Sequence, residues 1–382
     1  MWLDFTALAA LTLAATGCLY ALFAAAMARG WVVGEPATGI APSVTVLKPL
    51  HGAEPHLYDN LASFCRQRYA GRVQILFGVQ DPADPAAAAV RRLIAERPDL
   101  DLELVVTRGQ DGANPKVANL AGLQRHIAHD VVVVSDSDIA VPPDYLARIA
   151  AALDRPGAGL VTCLYRGQAQ HGLWSRLAAM AIDHHFLPGV LVGLRLGLAH
   201  PCFGSTLALR RDTLTAIGGF DAFRDRLADD YAIGVAVRGR GLQVVVPRFA
   251  VAHTCAAASL RELWRHELRW ARTVRLVSPW GYAGSVVTHP LPFALLAACV
   301  PGYAAAGAIA VVLSISSRHV LMRAVEHTFG TNTRGAWLGP VRDLLSFAIF
   351  VASFFVAVVS WRGRRYRVRH DNTLAVPGEP HR

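Results

Sequence analysis

The run Val131–Asp138, VVVVSDSD, constrains the fold more than any other stretch of the chain. Four consecutive β-branched residues suit a strand covered on both faces, as in a parallel sheet, where no polar alternation is called for. That strand ends abruptly in carboxylates. In open α/β sheets ligands collect beyond the carboxyl ends of the strands, so Asp136 and Asp138 are expected at the lip of a cleft, placed to hold a divalent cation through oxygen ligands. A second reading of the same residues is an Asp-rich turn that closes a core strand.

The preceding chain supplies the rest of such a sheet. Val44–Leu47 reads as a first strand running into Lys48-Pro49-Leu50, Pro55–Arg68 as a helix, and Val73–Val79 as a second strand ending in Gln80-Asp81-Pro82. Ala-rich Pro85–Glu96 is helical, Leu102–Val106 is a third strand, and Pro115–His126 a further helix. Alternation of this kind, with helical crossovers of ten or more residues, predicts a parallel sheet with helices on both faces. Beyond the DxD the expected elements are a helix to Leu153, a strand over Gly159–Tyr165 and a strand over Phe203–Leu209. A short helix then follows from Arg210, ending at Gly218-Gly219.

Apolar material is concentrated at the two ends. The hydrophobic share is 53% and the charged share only 17%. No charged residue falls between Phe5 and Ala28, a span longer than the ~20 residues that cross a bilayer as a helix. Arg29 follows the apolar run rather than preceding it, which argues for a retained anchor with the next domain on the cytoplasmic side. Leu291–Ser317 is uncharged, with Pro301-Gly302 kinking or dividing it, and Leu344–Trp361 is a further candidate span. The basic run from Arg362 to Arg369 belongs in the cytoplasm, which favours two C-terminal crossings. The tail after His370 reads as disordered. The net charge of +10 accompanies these membrane segments and points to an anionic lipid surface rather than nucleic acid. Six cysteines without paired spacing indicate neither a zinc site nor a disulfide framework.

Several stretches carry chemistry in more than one reading. Gly109–Lys116, GQDGANPK, opens a helix and would suit a phosphate at its free amides, with Lys116 beside it, although such a loop is also an ordinary turn. Asp229 and Asp230 precede a helix, where they either cap it or supply a general base. Asp183, His184 and His185 lie in the apolar stretch Trp174–Leu198; adjacent helical residues diverge by about 100°, which disfavours a shared metal ion and leaves packing or an acceptor pocket. Ser259–Arg275 is amphipathic: Leu260, Leu263, Trp264, Leu268, Trp270, Ala271 and Val274 share one face, and Arg261, Arg265, Arg269 and Arg272 another. An interfacial helix fits this pattern, and an inward arginine would also bind a diphosphate.

In combination these motifs resemble the ceramide glucosyltransferase-like membrane glycosyltransferases, over roughly Val44 to Arg369. The residues concerned are LKPLHG at Leu47–Gly52, the acids of Val79–Asp84, GANPKVANL at Gly112–Leu120, SDSD at Ser135–Asp138, the ADDY acids and the RW pair at Arg269-Trp270. Three phrases, HGAEPHLYDNLASFCRQ, GLVTCLYRG and ELWRHELRWARTVR, are most similar to the bacterial branch associated with hopanoid biosynthesis. The resemblance implies an α/β fold of the GT-A type, a Rossmann-like mixed sheet. Taken with the apolar and basic runs, the expected order is an anchor at 1–30, a cytoplasmic GT-A domain over 43–258, an amphipathic interfacial helix at 259–281, membrane segments at 282–361 and a basic tail at 362–382.

It also implies roles. Asp81 contacts the nucleotide, Asp136 and Asp138 hold Mg²⁺ or Mn²⁺ and the diphosphate, and Asp230 is the base. Arg269 and Trp270 complete the (Q/R)xxRW motif, in which His266 replaces the usual first residue. The implied reaction is inverting transfer from a UDP-sugar to a membrane lipid hydroxyl, with N-acetylglucosamine passing to bacteriohopanetetrol in the inner, cytoplasmic membrane. Alternatives are glucosylation of ceramide or diacylglycerol, or, in a different class, a membrane scaffold or transporter whose α/β domain merely binds nucleotide.

Overall fold

A computed structural model describes residues 1–31, 34, 41–107, 112–331, 335–356, 358–361, 364–368 and 374–375. Residues 35–40 of the Gly/Pro stretch after the first apolar run, Gly109–Asp111 of the loop before Lys116, Arg362, Gly363 and Arg369 of the basic run, and most of the tail lie outside these residues.

The chain opens with α1 (Trp2–Arg29) and continues with β1 (Val44–Pro49), α2 (Leu57–Phe64), β2 (Val73–Val79), α3 (Ala86–Glu96), β3 (Asp101–Val106), α4 (Pro115–Leu123) and β4 (Val131–Val134). Next come β5 (Ile139–Ala140), α5 (Tyr145–Leu153), β6 (Ala158–Val161), β7 (Leu164–Ala169), α6 (Gly172–Ala181), a π-helical turn at Ile182–Phe186 and α7 (Leu187–Arg195). The remainder is β8 (Leu207–Arg210), α8 (Arg211–Ala216), α9 (Asp229–Arg238), β9 (Gln243–Val245), β10 (Ala250–Cys255), α10 (Leu260–Val277), α11 (Pro279–Gly284), α12 (Pro290–Ala298), α13 (Ala304–Phe329), α14 (Gly339–Phe355), β11 (Val358–Trp361), β12 (Arg364–Val368) and β13 (Leu374–Ala375), so the candidate span over Leu344–Trp361 is helical only as far as Phe355.

Two compact units result. One takes Gly34–Tyr165 and His200–Thr254 and is built on a seven-stranded sheet in the order β3-β2-β1-β4-β8-β6-β9. Strand β8 is antiparallel to both its neighbours, and the other neighbouring pairs are parallel. The carboxyl ends of β1, β2, β4 and β6 therefore share one edge with the amino end of β8. Val131–Val134 are fully buried, as expected of a strand covered on both faces, and Val132 and Val134 join Leu47, Leu76, Leu160, Leu207 and Ile233 in one core cluster. Each such side chain contributes roughly 1.5–3 kcal/mol on burial. In place of one strand over 159–165 there are two, β6 and β7. The break falls at Thr162, whose Oγ1 accepts a hydrogen bond from Phe203 N at 2.8 Å. Strand β8 begins only at Leu207, because Phe203 and Thr206 close a turn before it.

The other unit takes Met1–Val33, Arg166–Ala199 and Cys255–Ser360. Among the described residues four helical stretches are long and apolar enough to cross a membrane: Trp2–Arg29, Gly172–Arg195, Ala304–Phe329 and Ala336–Phe355. The apolar run after Leu291 is divided as expected, with Gly302 at φ 85° between α12 and α13. Topology limits the second stretch. Strands β4 and β6 precede Gly172–Arg195 and β8 follows it, yet all three belong to one sheet. Both ends of α6–α7 therefore lie on the same side of any bilayer, so its length cannot be a crossing.

Helix α10 starts at Ser259, whose hydroxyl accepts from Glu262 N. On this helix Leu263 and Arg272 are buried, while Leu260 and Val274 are exposed. The Glu267 carboxylate is held bidentately by Arg342 of α14, at 2.8 and 2.7 Å, which ties α10 to that helix.

Candidate active site

The site in the sheet-bearing unit begins where β4 ends. Its carboxylates are positioned by backbone bonds from neighbouring strands: Ser135 N donates to Leu47 O at 3.2 Å, and Asp136 N to Gly204 O at 3.2 Å. Thr254 N donates to Asp138 O at 2.8 Å, and Asn60 Nδ2 to Ser137 O at 3.2 Å. The DxD loop is thus clamped from β1, α2, β10 and the turn before β8. That much order is more than a simple strand-closing turn requires.

Lys116 joins three of the acids. Asn114 caps α4, its Oδ1 accepting from Lys116 N and Val117 N, which sets the lysine at the helix start. The Lys116 ammonium lies 2.7 Å from Asp136 Oδ1 and 3.3 Å from Asp229 Oδ2. Burial works against its charge, yet Asp136, Asp229 and Asp230 together hold its pKa above the ordinary lysine value. Burial raises the Asp136 pKa, with Lys116 opposing and Asp138 adding to the rise. Asp136 remains about one-third exposed, at 35% of its side-chain surface, so it is open to a ligand.

Asp230 stands at the first turn of α9. Its Oδ2 accepts from Gly204 N at 2.8 Å and its Oδ1 from its neighbour Tyr231 N. Burial, then Asp229, push its pKa up to about 6, against Lys116. A carboxyl so tuned suits a general base near neutral pH. Gly204 links the two functions, its carbonyl tied to Asp136 and its N–H to Asp230. A Cβ at this position would lie 2.6 Å from Asp136 Oδ2 and 2.9 Å from Lys116 Nζ, so only glycine fits without movement.

Asp138 faces His253 of β10, with Nε2 3.2 Å from Oδ2. The pairing of His253 with Ile139 fixes this approach. The carboxylate oxygens of Asp136 and Asp138 are of the kind that suits Mg²⁺ or Mn²⁺, so they fit a divalent cation whose further oxygens come from nucleotide phosphates, with the His253 imidazole beside Asp138. Among the described residues no three acids, histidines or cysteines gather at ligand spacing by themselves.

Asp81 is exposed at the end of β2 and accepts from Ala83 N at 2.8 Å. Asp84 is the more engaged acid of that loop, accepting from Gly52 N and Ala86 N. His266, Arg269 and Trp270 lie on α10, in the other unit, where the His266 and Trp270 rings stand 4.6 Å apart. The residues to which sequence reasoning gave no role are Lys48, Gly204 and His253. Lys48 is fully buried in β1, its ammonium donating to Asp136 O and resting 4.1 Å above the Phe64 ring. Burial lowers its pKa to about 7, opposed by Asp136, Asp138 and Glu54. A charge inside the apolar run VTVLKP was the available signal.

The ceramide glucosyltransferase 1 of Caenorhabditis elegans is 26% identical over 232 residues, 60% of this chain and 49% of that protein. An N-acetylglucosaminyltransferase of Rhizobium leguminosarum bv. viciae is 23% identical over 246 residues, 62% of this chain and 56% of that protein. The chain thus spans about half the length of the curated relatives it matches. Among solved structures, the mannosyltransferase PcManGT of Pyrobaculum calidifontis, in complex with GDP-Man and Mn²⁺, has a TM-score of 0.52 at 22% identity. That match covers 92% of this chain and 98% of that one, and it supports the GT-A fold. The description of glycosyl transferase family 21 matches residues 9–374, nearly the whole chain, and the protein belongs to that family.

Proposed function

We propose that the protein is an inverting glycosyltransferase that moves a sugar from a UDP-sugar to the hydroxyl of a membrane lipid. The observation that carries this reading is the edge where Lys116, Asp136 and Asp229 meet, with Asp230 held on the far side of Gly204. Asp136 and Asp138, with His253 beside Asp138, would hold Mg²⁺ or Mn²⁺, which when bound neutralises the diphosphate and makes it a better leaving group. Lys116 adds a fixed positive charge beside the same phosphates. Asp230 Oδ takes the proton of the acceptor hydroxyl, and the freed oxygen attacks the anomeric carbon opposite the departing UDP, inverting that centre. The nucleotide contact of Asp81 and the participation of His266, Arg269 and Trp270 are parts of the same proposal, supported by family resemblance.

The transferred sugar is proposed to be N-acetylglucosamine and the acceptor bacteriohopanetetrol, on the likeness to the hopanoid-associated branch; the likeness to an N-acetylglucosaminyltransferase supports the sugar. Similarity to ceramide glucosyltransferases supports a second reading, glucosylation of ceramide or a related lipid. The catalytic unit is proposed to face the cytoplasm at the inner membrane, because the apolar run of α1 is followed by Arg29. Membranes containing the protein, incubated separately with radiolabelled UDP-sugars, should yield one labelled lipid whose mass identifies sugar and acceptor. No labelled lipid with any UDP-sugar would sink the proposal.

A further inference from the structure

The membrane unit holds a polar cluster that the transfer chemistry does not use. Arg318 of α13 and Asp343 of α14 are both buried and paired: Nε reaches the two carboxylate oxygens at 3.1 and 3.2 Å, and Nη2 reaches Oδ1 at 2.9 Å. His185, from the π-helical turn, brings Nε2 to 2.7 Å from Arg318 Nη2 and 3.0 Å from Asp343 Oδ1. His289 stacks on His185 with ring centroids 6.0 Å apart. Both ring nitrogens of His184 are buried without a hydrogen-bond partner. Ionised groups inside apolar helices are costly and are a functional hypothesis by default, and π-turns recur at functional sites.

A second buried pair in the same unit shows what a purely structural role looks like. Arg342 spends Nε on Ser346, Nη1 on Glu267 and the Leu177 carbonyl, and Nη2 on Glu267, so every nitrogen is engaged. Arg318 is different. Among the described residues it engages only Nε and Nη2, and together with Asp343 it lines a cavity of about 380 Å³. That volume falls in the range of small-molecule sites. The remaining wall is largely apolar, including Ile315, Met322, Ala336 and Pro340.

Position within the helices identifies the occupant's chemistry. Ala304–Ser317 carries no charge and rises about 20 Å to Arg318, and uncharged Leu344–Phe355 runs about 18 Å away from Asp343. Met322 contacts Gly339 while Arg318 meets Asp343, so the two helices are antiparallel and both apolar stretches leave the cluster in the same direction. The cluster is thus the polar floor of an apolar wall, which suits a lipid whose chains lie along the helices. Guanidinium and carboxylate cancel, so no net charge is offered to an anionic headgroup.

We propose that Arg318, Asp343 and His185, with the adjoining cavity, form a recognition site for the uncharged, hydroxyl-bearing head of a membrane lipid. This rests on the lipid-transfer reading above for the class of lipid, and it assigns a binding site within this unit alone. The hydroxyl accepts from Arg318 Nη1, and the chains pack beside Ile315 and Met322.

The test uses the full chain in phosphatidylcholine nanodiscs containing a diacylglycerol with a photoactivatable group near its glycerol. Cross-links should fall on peptides spanning 315–322 and 336–343. Excess unlabelled diacylglycerol should displace them and phosphatidylglycerol should not. Ser316→Trp, which fills the cavity without touching the ion pair, and Arg318→Gln should each reduce labelling at least five-fold, while affinity for UDP with Mg²⁺ stays within two-fold. Labelling spread over all lipid-facing helices, labelling unchanged in Ser316→Trp, or displacement by phosphatidylglycerol instead would overturn the site. Site-specific labelling in a protein that transfers no sugar would count against the proposed reaction and leave the lipid site standing.

Discussion

Lys116 Nζ lies 2.7 Å from Asp136 Oδ1, and it is this contact that joins the DxD loop to the start of α4. The same ammonium reaches Asp229, whose side chain is only 8% exposed. Removing one partner of a buried pair leaves the other charge uncompensated, at a cost of about 3–5 kcal/mol. Lys116→Met is therefore expected to lower the thermal midpoint by several degrees and to weaken UDP binding. An unchanged melting curve together with unchanged UDP affinity would remove Lys116 from the site.

Gly204 lies between the donor acids and the proposed base. Gly204→Ala places a methyl 2.6 Å from Asp136 Oδ2, and the loop or the carboxylate has to move. Overpacking of this kind costs roughly 1–3 kcal/mol in a packed interior. The larger effect should be kinetic, because displacement of reacting groups by a fraction of an ångström already slows transfer. Steady-state assays should show a fall in kcat and a rise in the KM for the donor. A variant with wild-type values of both would mean that the close approach is not needed.

The raised pKa of Asp230 sets the pH profile. A base works deprotonated, so kcat/KM should climb with pH up to about 6 and level off above it. Asp230→Asn should reduce transfer by about 10²–10⁴-fold while UDP binding persists. If the acidic limb of the profile survives the substitution in the residual activity, another group is the base.

Asp138 and His253 face one another across 3.2 Å, and a divalent cation would be held by Asp138 with Asp136. Chelation should abolish transfer, and Mn²⁺ or Mg²⁺ should restore it. His253→Ala should raise the cation concentration needed for half-maximal activity by about 10-fold or more. Full activity in excess chelator would exclude a cation requirement.

Much of this arrangement was legible in the residues. VVVVSDSD reads as a strand covered on both faces that ends in acids, and Val131–Val134 are buried beside β1 and β8 as that pattern demands. The alternation before it gave the parallel half of the sheet because each crossover carries its own helical period. Gly204 and His253 were not legible. Their roles arise from contacts to residues tens of positions away, and no local period marks such pairings. The fate of Gly172–Arg195 was hidden for a similar reason. Its hydropathy is that of a span, and only the pairing of β8 with β4 and β6 shows that its two ends lie on one side. On α10, Arg272 reads as one of four arginines on a basic face, yet it is buried, and the Glu267–Arg342 pair that ties the helix to α14 has no local signature.

Lys48 gives a test in which stability and activity move in opposite directions. Its pKa is about 7 in the folded chain and 10.5 as a free side chain, because burial disfavours the ammonium. The unfolded chain therefore binds more protons between those values, and the lysine's contribution to stability is lost as pH falls from 10.5 towards 7. Lys48→Met removes that slope. The variant should melt higher than the parent at pH 7, by on the order of 1–4 kcal/mol, and the gap should close as pH approaches 10. The same substitution takes away the donor that holds the Asp136 carbonyl, so the DxD loop loosens. Transfer should fall roughly 10–100-fold, as a misplacement near the reacting groups predicts. Melting curves across pH 6–10 and rates on the same samples read both effects. A variant that is less stable at pH 7 would mean that the ammonium's bonds to Ser135 and Asp136 outweigh its desolvation; one that is fully active would mean that the loop keeps its geometry without them.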